Sequence, residues 1–325
     1  MESVSKKYII LSFDGGGVRM VLQYRILQRI LEKFPTLLDR VSLFSGTSAG
    51  SILAAGLATN VIGVASILEP ANELISKKNV KTIFESYGTC RKITSLGGLR
   101  LSKYTNDNLM KLLASYFGAI RMKDIDKCVF IPAFCINAKH AKGEIMEALP
   151  SWTKVRVNRW HPVYYTNFKD DGFSDKLIVD VILESSAAPT YFPIENFHID
   201  GGIGNNNPCL SALTSVLRNG IDIKDIFILS FGSGESPTSF NVSKNESLGV
   251  MKWLPKIINM IFDADQEVVA RNTYQILGDN FWRIQPVLET QIELDDTSKY
   301  EELIKIADKF DLTHTFEWLE TLLYN

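Results

Sequence analysis

At 325 residues, 46% hydrophobic, 22% charged and formally −2 at neutral pH, the chain has the make-up of a folded protein able to bury one large core or two modest ones. No basic block or RNA-binding signature runs along it, so nucleic acid is not expected as a partner. Cys90, Cys128, Cys135 and Cys209 are scattered without CxxC pairs or nearby histidines; they suggest neither a metal centre nor a disulfide framework and suit a reducing compartment.

In chain order, the first apolar run is YIILSF at 8–13. It is too short for a signal-peptide core and meets Asp14 without a small-residue cleavage site, so a cytosolic start is expected. The run reads as a strand that opens into Gly15-Gly16-Gly17 and then a helix-like pattern through VLQYRIL. A strand, a glycine turn and a helix start can cradle negative charge, whether a bound phosphate or a transient oxyanion. A dinucleotide fingerprint needs another glycine where Met20 stands and an acidic residue ending the next strand, whereas Asp39 precedes it.

Residues 41–68 carry no charge and are long enough to raise a membrane span. Four glycines, five serines, two threonines and Asn60 instead divide them into a strand, a turn and a closely packed helix. The turn holds Gly46-Thr47-Ser48-Ala49-Gly50, a G-x-S-x-G between strand-like VSLFS and the small-residue helix AGSILAAGLA. On a sharp strand-to-helix turn this pattern lifts a serine hydroxyl above a sheet, with Gly46 and Gly50 where side chains would clash. Without that setting it is a glycine-rich turn with an idle serine.

Further strand-like runs fall at 128–136, 162–166, 177–182, 196–199 and 226–231, with helical patterns between many of them. That alternation predicts an α/β fold whose mainly parallel central sheet is covered on both faces. The polar stretch 232–249 reads as a loop, after which helices are expected at 256–277, 296–309 and 312–323 as a helical C-terminal cover. A single domain over 1–325 is expected, with a motif-bearing core at about 8–235 and a helical extension at about 250–325.

A serine nucleophile needs a base. His140 sits in polar NAKHAKGE, and His161 precedes Pro162 beside Trp160; neither has a convincing acidic orienter. His198 would share a strand face with Asp200. His314 completes a Ser48–Asp200–His314 chain order, but it falls in the first turn of a helix that Asp311 or Thr313 caps. The alternative base is Asp200 itself, at a strand end and followed by Gly201-Gly202, which allow close backbone approach. Asp-Gly leaving a strand is also an ordinary turn. Asn207 and Pro208 read as the cap and first residue of the next helix.

DGGGVR, GTSAG, SSAAPTYFP at 185–193 and DGGIGNNNP at 200–208 resemble, in order and spacing, the four sequence blocks of patatin-like phospholipases. Lesser similarities at 104–118, 162–168 and 226–234 extend the resemblance over residues 8 to about 235. It implies a three-layer α/β/α sandwich, a Ser48–Asp200 dyad, and Gly15, Gly16 and Gly17 giving N–H groups to the oxyanion. Arg19 would steady that loop or face a lipid phosphate, while Gly46, Gly50, Gly201 and Gly202 support the two turns. The implied activity is phospholipase A or lysophospholipase cleavage of fatty-acyl esters through an acyl-enzyme, with no metal or cofactor.

A phospholipid or lysophospholipid substrate implies a cytoplasmic protein that associates transiently and peripherally with a membrane surface. The sequence identifies no activator. The basic, leucine-bearing stretch 87–104 and the loop 233–249 are candidate lids. An acyltransferase or thioesterase using the same acyl-serine is the alternative, and a non-enzymatic lipid-binding protein a remote one.

Overall fold

The computed structural model describes residues 7–63, 74–85, 101–137, 160–169, 171–237, 242–244, 246–247 and 249–324. Strand β1 (Tyr8–Phe13) is the first strand of a seven-stranded sheet among these residues. It pairs in parallel with β2 (Val41–Gly46). The next strands are β3 (Cys128–Cys135), β4 (His161–Thr166), β5 (His198–Asp200), β6 (Ile226–Phe231) and β7 (Phe281–Ile284). The order is β4-β3-β2-β1-β6-β7, with β5 also on β3. β4 and β5 run antiparallel to β3, and the remaining pairs are parallel.

The near-continuous apolar character of β1, β2 and β6 follows from burial on both faces. Along β1 the side chains alternate: Ile9, Leu11 and Phe13 join a core with α1 (Met20–Lys33) and α3 (Ala49–Ala58). Ile10 points the other way, joining Ile226, Ile228 and the Ala212, Leu213 and Val216 face of α8 (Cys209–Arg218). Helices therefore cover both faces, giving the three-layer α/β/α sandwich. The remaining helices are α2 (Leu37–Arg40), α4 (Lys77–Ile83), α5 (Asp107–Phe117), α6 (Ile178–Ser185), α7 (Gly202–Asn205), α9 (Val250–Leu277), α10 (Tyr300–Lys309) and α11 (Thr313–Tyr324). None of the described helices is long and apolar enough to cross a membrane.

Three expectations need correction. The run 177–182 is not a strand but part of α6, whose Ile178, Val181, Ile182 and Ser185 are buried at helical spacing. Period alone does not distinguish a short, wholly buried helix from a buried strand. The strand expected at 196–199 begins only at His198, because Asn196 and Phe197 both have positive φ, 43° and 65°. They form the turn in which Glu195 and His198 exchange both backbone hydrogen bonds, at 3.0 and 2.7 Å. The C-terminal cover is not wholly helical either, since FWRI forms edge strand β7 against β6.

Two partners share one edge of β3, and this brings distant sequence together. β2 pairs with Cys128–Phe130, and farther along β5 pairs with Ala133–Cys135, setting Asp200 opposite Ala133. The turn leaving β2 and the end of β5 consequently meet on the sheet's C-terminal rim.

Candidate active site

Ser48 sits between β2 and α3 with φ 53° and ψ −125°, outside the conformations ordinary residues prefer. Such a backbone costs of order 1–3 kcal/mol and persists only when its surroundings impose it. A Cβ on Gly46 would lie 2.1 Å from the Gly50 carbonyl oxygen, and one on Gly50 would lie 2.4 Å from that of Phe13. The Thr47 N–H donates to Phe13 O at 3.1 Å, and its hydroxyl donates to Asn205 O at 2.8 Å. Ser185, at the end of α6, accepts the Ser48 N–H on its Oγ at 3.0 Å and donates the same hydroxyl to Pro132 O at 2.6 Å. The Ser185 carbonyl accepts Gly201 N–H at 3.1 Å, so this residue touches both turns.

Ser48 Oγ donates to Asp200 Oδ2 at 2.6 Å, and Gly202 N–H donates to Asp200 Oδ1 at 2.7 Å. Asp200 is fully buried and has no salt-bridge partner among the described residues. Burial pushes its pKa up to about 7, against the opposing pull of the two hydrogen bonds. Gly201 is required because a Cβ there would stand 2.2 Å from Pro132 O. Gly202 packs under Phe262 of α9, 2.8 Å from where its Cβ would be.

The glycine loop is bound on every side. Contrary to the expectation that it faces the oxyanion, Gly15 N–H donates to Asn206 O at 3.0 Å and so anchors the loop to the aspartate block. Gly16 and Gly17 line the same pocket as Ser48, and among the described residues no acceptor is found for either N–H. Gly17 has φ 57°, and its Cβ would collide with the Leu294 carbonyl at 2.1 Å, so only glycine fits. Val18 N–H donates to that carbonyl at 2.8 Å. Arg19 is buried, with Nε donating to Gly16 O at 3.3 Å. Burial draws its pKa down while Asp263 and Glu293 pull it up.

Sequence reasoning passed over the ion pair beneath this loop. Asp14 is fully buried, and Arg283 of β7 grips it with Nη1–Oδ1 at 3.2 Å and Nη2–Oδ2 at 2.6 Å. Burial raises the Asp14 pKa to about 6, against the pull of Arg283. Gln23 Nε2 donates to the Asp14 and Phe231 carbonyls at 2.9 and 3.0 Å, fixing the main chain at the strand ends. The available signal was an aspartate placed where a buried loop needs a counter-ion.

The histidines are elsewhere. His198 is buried with Nε2 3.3 Å from the Tyr165 hydroxyl and Nδ1 3.6 Å from Glu184. His314 lies exposed on α11, with Nδ1 2.9 Å from Glu317, whose hydrogen bond and charge raise its pKa. Asp311 accepts Thr313 N–H at 2.9 Å as that helix's cap. His161 lies on β4 opposite Cys135, and His140 lies outside the described residues. Asn207 Oδ1 accepts Cys209 N–H at 3.1 Å just ahead of α8, but the helix begins at Cys209, so Pro208 takes the cap position expected for Asn207. Candidate lid residues 87–100 and parts of 233–249 also fall outside the described residues.

A pocket of about 510 Å³, its mouth included, opens over Ser48 between Gly16–Gly17 and an apolar wall of Ile52, Ile83, Phe84, Leu109, Phe192 and Phe262. No cluster of His, Cys, Asp or Glu able to hold a metal ion occurs among the described residues. An oriented serine–carboxylate pair beside free N–H donors can perform nucleophilic acyl transfer.

Comparison with known proteins adds the family. The model of the patatin-like phospholipase family matches residues 11–213. Protein teg of Priestia megaterium is 27% identical over 97% of this chain and 98% of its own length. A cGAMP-activated phospholipase of Pseudomonas aeruginosa is 26% identical over 85% of this chain and 78% of its own. Among solved structures, VipD from Legionella pneumophila aligns with a TM-score of 0.40 and 13% identity, over 94% of this chain and 67% of that one.

Proposed function

Since the chain belongs to the patatin-like phospholipase family, we propose that it is a lipid acyl hydrolase of phospholipase A or lysophospholipase type, with Ser48 as nucleophile and Asp200 as base. The observation that carries this reading is the 2.6 Å hydrogen bond from Ser48 Oγ to a buried carboxylate with no salt-bridge partner among the described residues. A carboxylate at its ordinary pKa of about 3.9 is a feeble base for an alcohol. At about 7 it holds a proton far more readily and is still substantially ionised near neutral pH.

In the proposed cycle Asp200 takes the hydroxyl proton as Ser48 Oγ bonds to the ester carbonyl carbon. The resulting oxyanion accepts hydrogen bonds from Gly16 and Gly17. Collapse expels the alcohol, a lysolipid or glycerophospho group, which takes the proton back from Asp200. Water then attacks the acyl-serine, again giving a proton to Asp200, and the fatty acid departs as the Ser48 hydroxyl is restored. Preorganised donors of this kind are worth about 3–4 kcal/mol each in known enzymes. The apolar wall suits an acyl chain, and the buried Arg19, tied to Gly16 O, suits loop support better than contact with a lipid phosphate.

The test is fatty-acid release from mixed phospholipid, lysophospholipid and neutral glyceride, together with fluorophosphonate labelling, for wild type, Ser48→Ala and Asp200→Asn. Release and labelling by wild type alone are expected. Labelling that persists in Ser48→Ala overturns the assignment of the nucleophile.

A further inference from the structure

Helix α9 is much longer than the layer it covers. Its 28 residues span about 42 Å, whereas a six-residue strand such as β6 spans about 20 Å. It follows β6 by way of residues 232–249 and leads to the parallel strand β7, passing the rim that carries Ser48 at Phe262. The described buried positions of α9 begin at Phe262, which lines the pocket and lies against Gly202. From Lys252 to Ile261 no described position is buried. These described positions are exposed or half-buried, and Asn259 Nδ2 donates to Glu293 at 3.3 Å.

Their composition is unlike that of a solvated helix end. VMKWLPKIINMI, residues 250–261, contains no acidic residue, and its only charges are Lys252 and Lys256. Trp253, Ile257, Met260 and Ile261 are 38%, 42%, 43% and 38% exposed. Their spacing of four, three and one puts them on one stripe, which Val268 extends at 56% exposure. Contiguous apolar patches on monomeric surfaces are limited in size and are often functional.

Resting on the function proposed above, we propose that the first turns of α9 dock the protein on a phospholipid bilayer containing anionic lipid. Apolar side chains bounded by lysines match the acyl boundary and negative headgroups of such a surface. A second copy fits less well, because a two-fold contact through this short stretch would bring Lys252 and Lys256 towards their own equivalents. Lys252 also meets Glu246 at 3.1 Å, an ion pair that anionic headgroups would have to compete with. The helix does not span the membrane; it lies on it, setting the mouth beside Phe262 close to the lipid.

The test compares full-length wild type with Ile257→Gln/Met260→Gln/Ile261→Gln, chosen because glutamine keeps helix propensity and adds no charge. Binding to phosphatidylcholine vesicles with about one-third phosphatidylglycerol should fall roughly tenfold or more. Turnover of a water-soluble short-chain ester should stay within about twofold, showing an intact fold and site. Lys252→Gln/Lys256→Gln should weaken binding to the anionic vesicles but not to pure phosphatidylcholine. If no version hydrolyses any ester, the proposed function falls, while the difference in vesicle binding still supports docking. Undiminished vesicle binding by the triple variant overturns the proposal. So does a wild-type dimer that the triple variant separates without loss of vesicle binding, which would assign the stripe to a second copy.

Discussion

Two fully buried aspartates stand at neighbouring strand ends and are treated in opposite ways. Asp14 is held by the paired guanidinium nitrogens of Arg283, whereas Asp200 receives one hydroxyl and one backbone N–H and, among the described residues, no salt bridge. Burial raises both, to about 6 and about 7 respectively. The acid beneath the glycine loop is neutralised by a cation; the acid proposed to accept a proton is left with weak partners, and the fold bears the cost.

The sharpest way to break this comparison is at Asp200. Asp200→Asn should lower kcat/KM by about a thousandfold or more, as should Ser48→Ala, because each removes a member of a unit that acts together. An asparagine can still accept from Gly202 N–H and donate to Ser48 Oγ, so the variant should remain folded by circular dichroism.

The pH dependence sharpens the same point. The folded pKa of about 7 exceeds the ordinary value of about 3.9, so between them the folded state holds a proton that the unfolded chain has released. The stability this group contributes is present below pH ~4 and is lost as pH rises through about 7. With Asp200 as the proposed base, activity should rise over that interval. Urea unfolding at pH 5 and pH 8, set beside a kcat/KM profile, should move in opposite directions for wild type, and Asp200→Asn should lessen the stability gradient.

At Asp14 the expected effect is on folding. Arg283→Met strands a buried carboxylate and should cost about 3–5 kcal/mol in denaturant unfolding; adding Asp14→Asn should recover part of it. Ser185→Ala removes the hydroxyl joining Ser48 N–H to Pro132 O. It should cost about 1 kcal/mol of stability and reduce kcat roughly tenfold with little change in KM, while Ser185→Thr should restore most of the rate. The smallest effect is expected at exposed His314, where alanine should leave kcat within about twofold.

Much of the fold was legible because it is written locally. The glycine turn, the serine turn and the aspartate turn each carry their geometric need in residue type, and the apolar runs of β1, β2 and β6 announce buried strands. The run at 177–182 was misread because a helix buried around most of its surface loses the polar positions that reveal its period. β7 and Arg283 were missed because what identifies them is their partner: Asp14 is 269 residues away in sequence, and FWRI is a short edge run among helices. Ser185 stood inside a recognised block, yet its contacts with both turns depend on α6 being a helix.

The hold of Leu294 on the glycine loop, through Val18 N–H and the close fit at Gly17, also has a meaning in time. Synthesis runs from the N-terminus, so the loop emerges long before Arg283 and Leu294, and Ser48 and Asp200 both emerge before either support. A nascent chain stopped in between carries every signature residue but lacks the two braces that shape the loop. The order of translation thus withholds a finished site until nearly the whole described chain has been made.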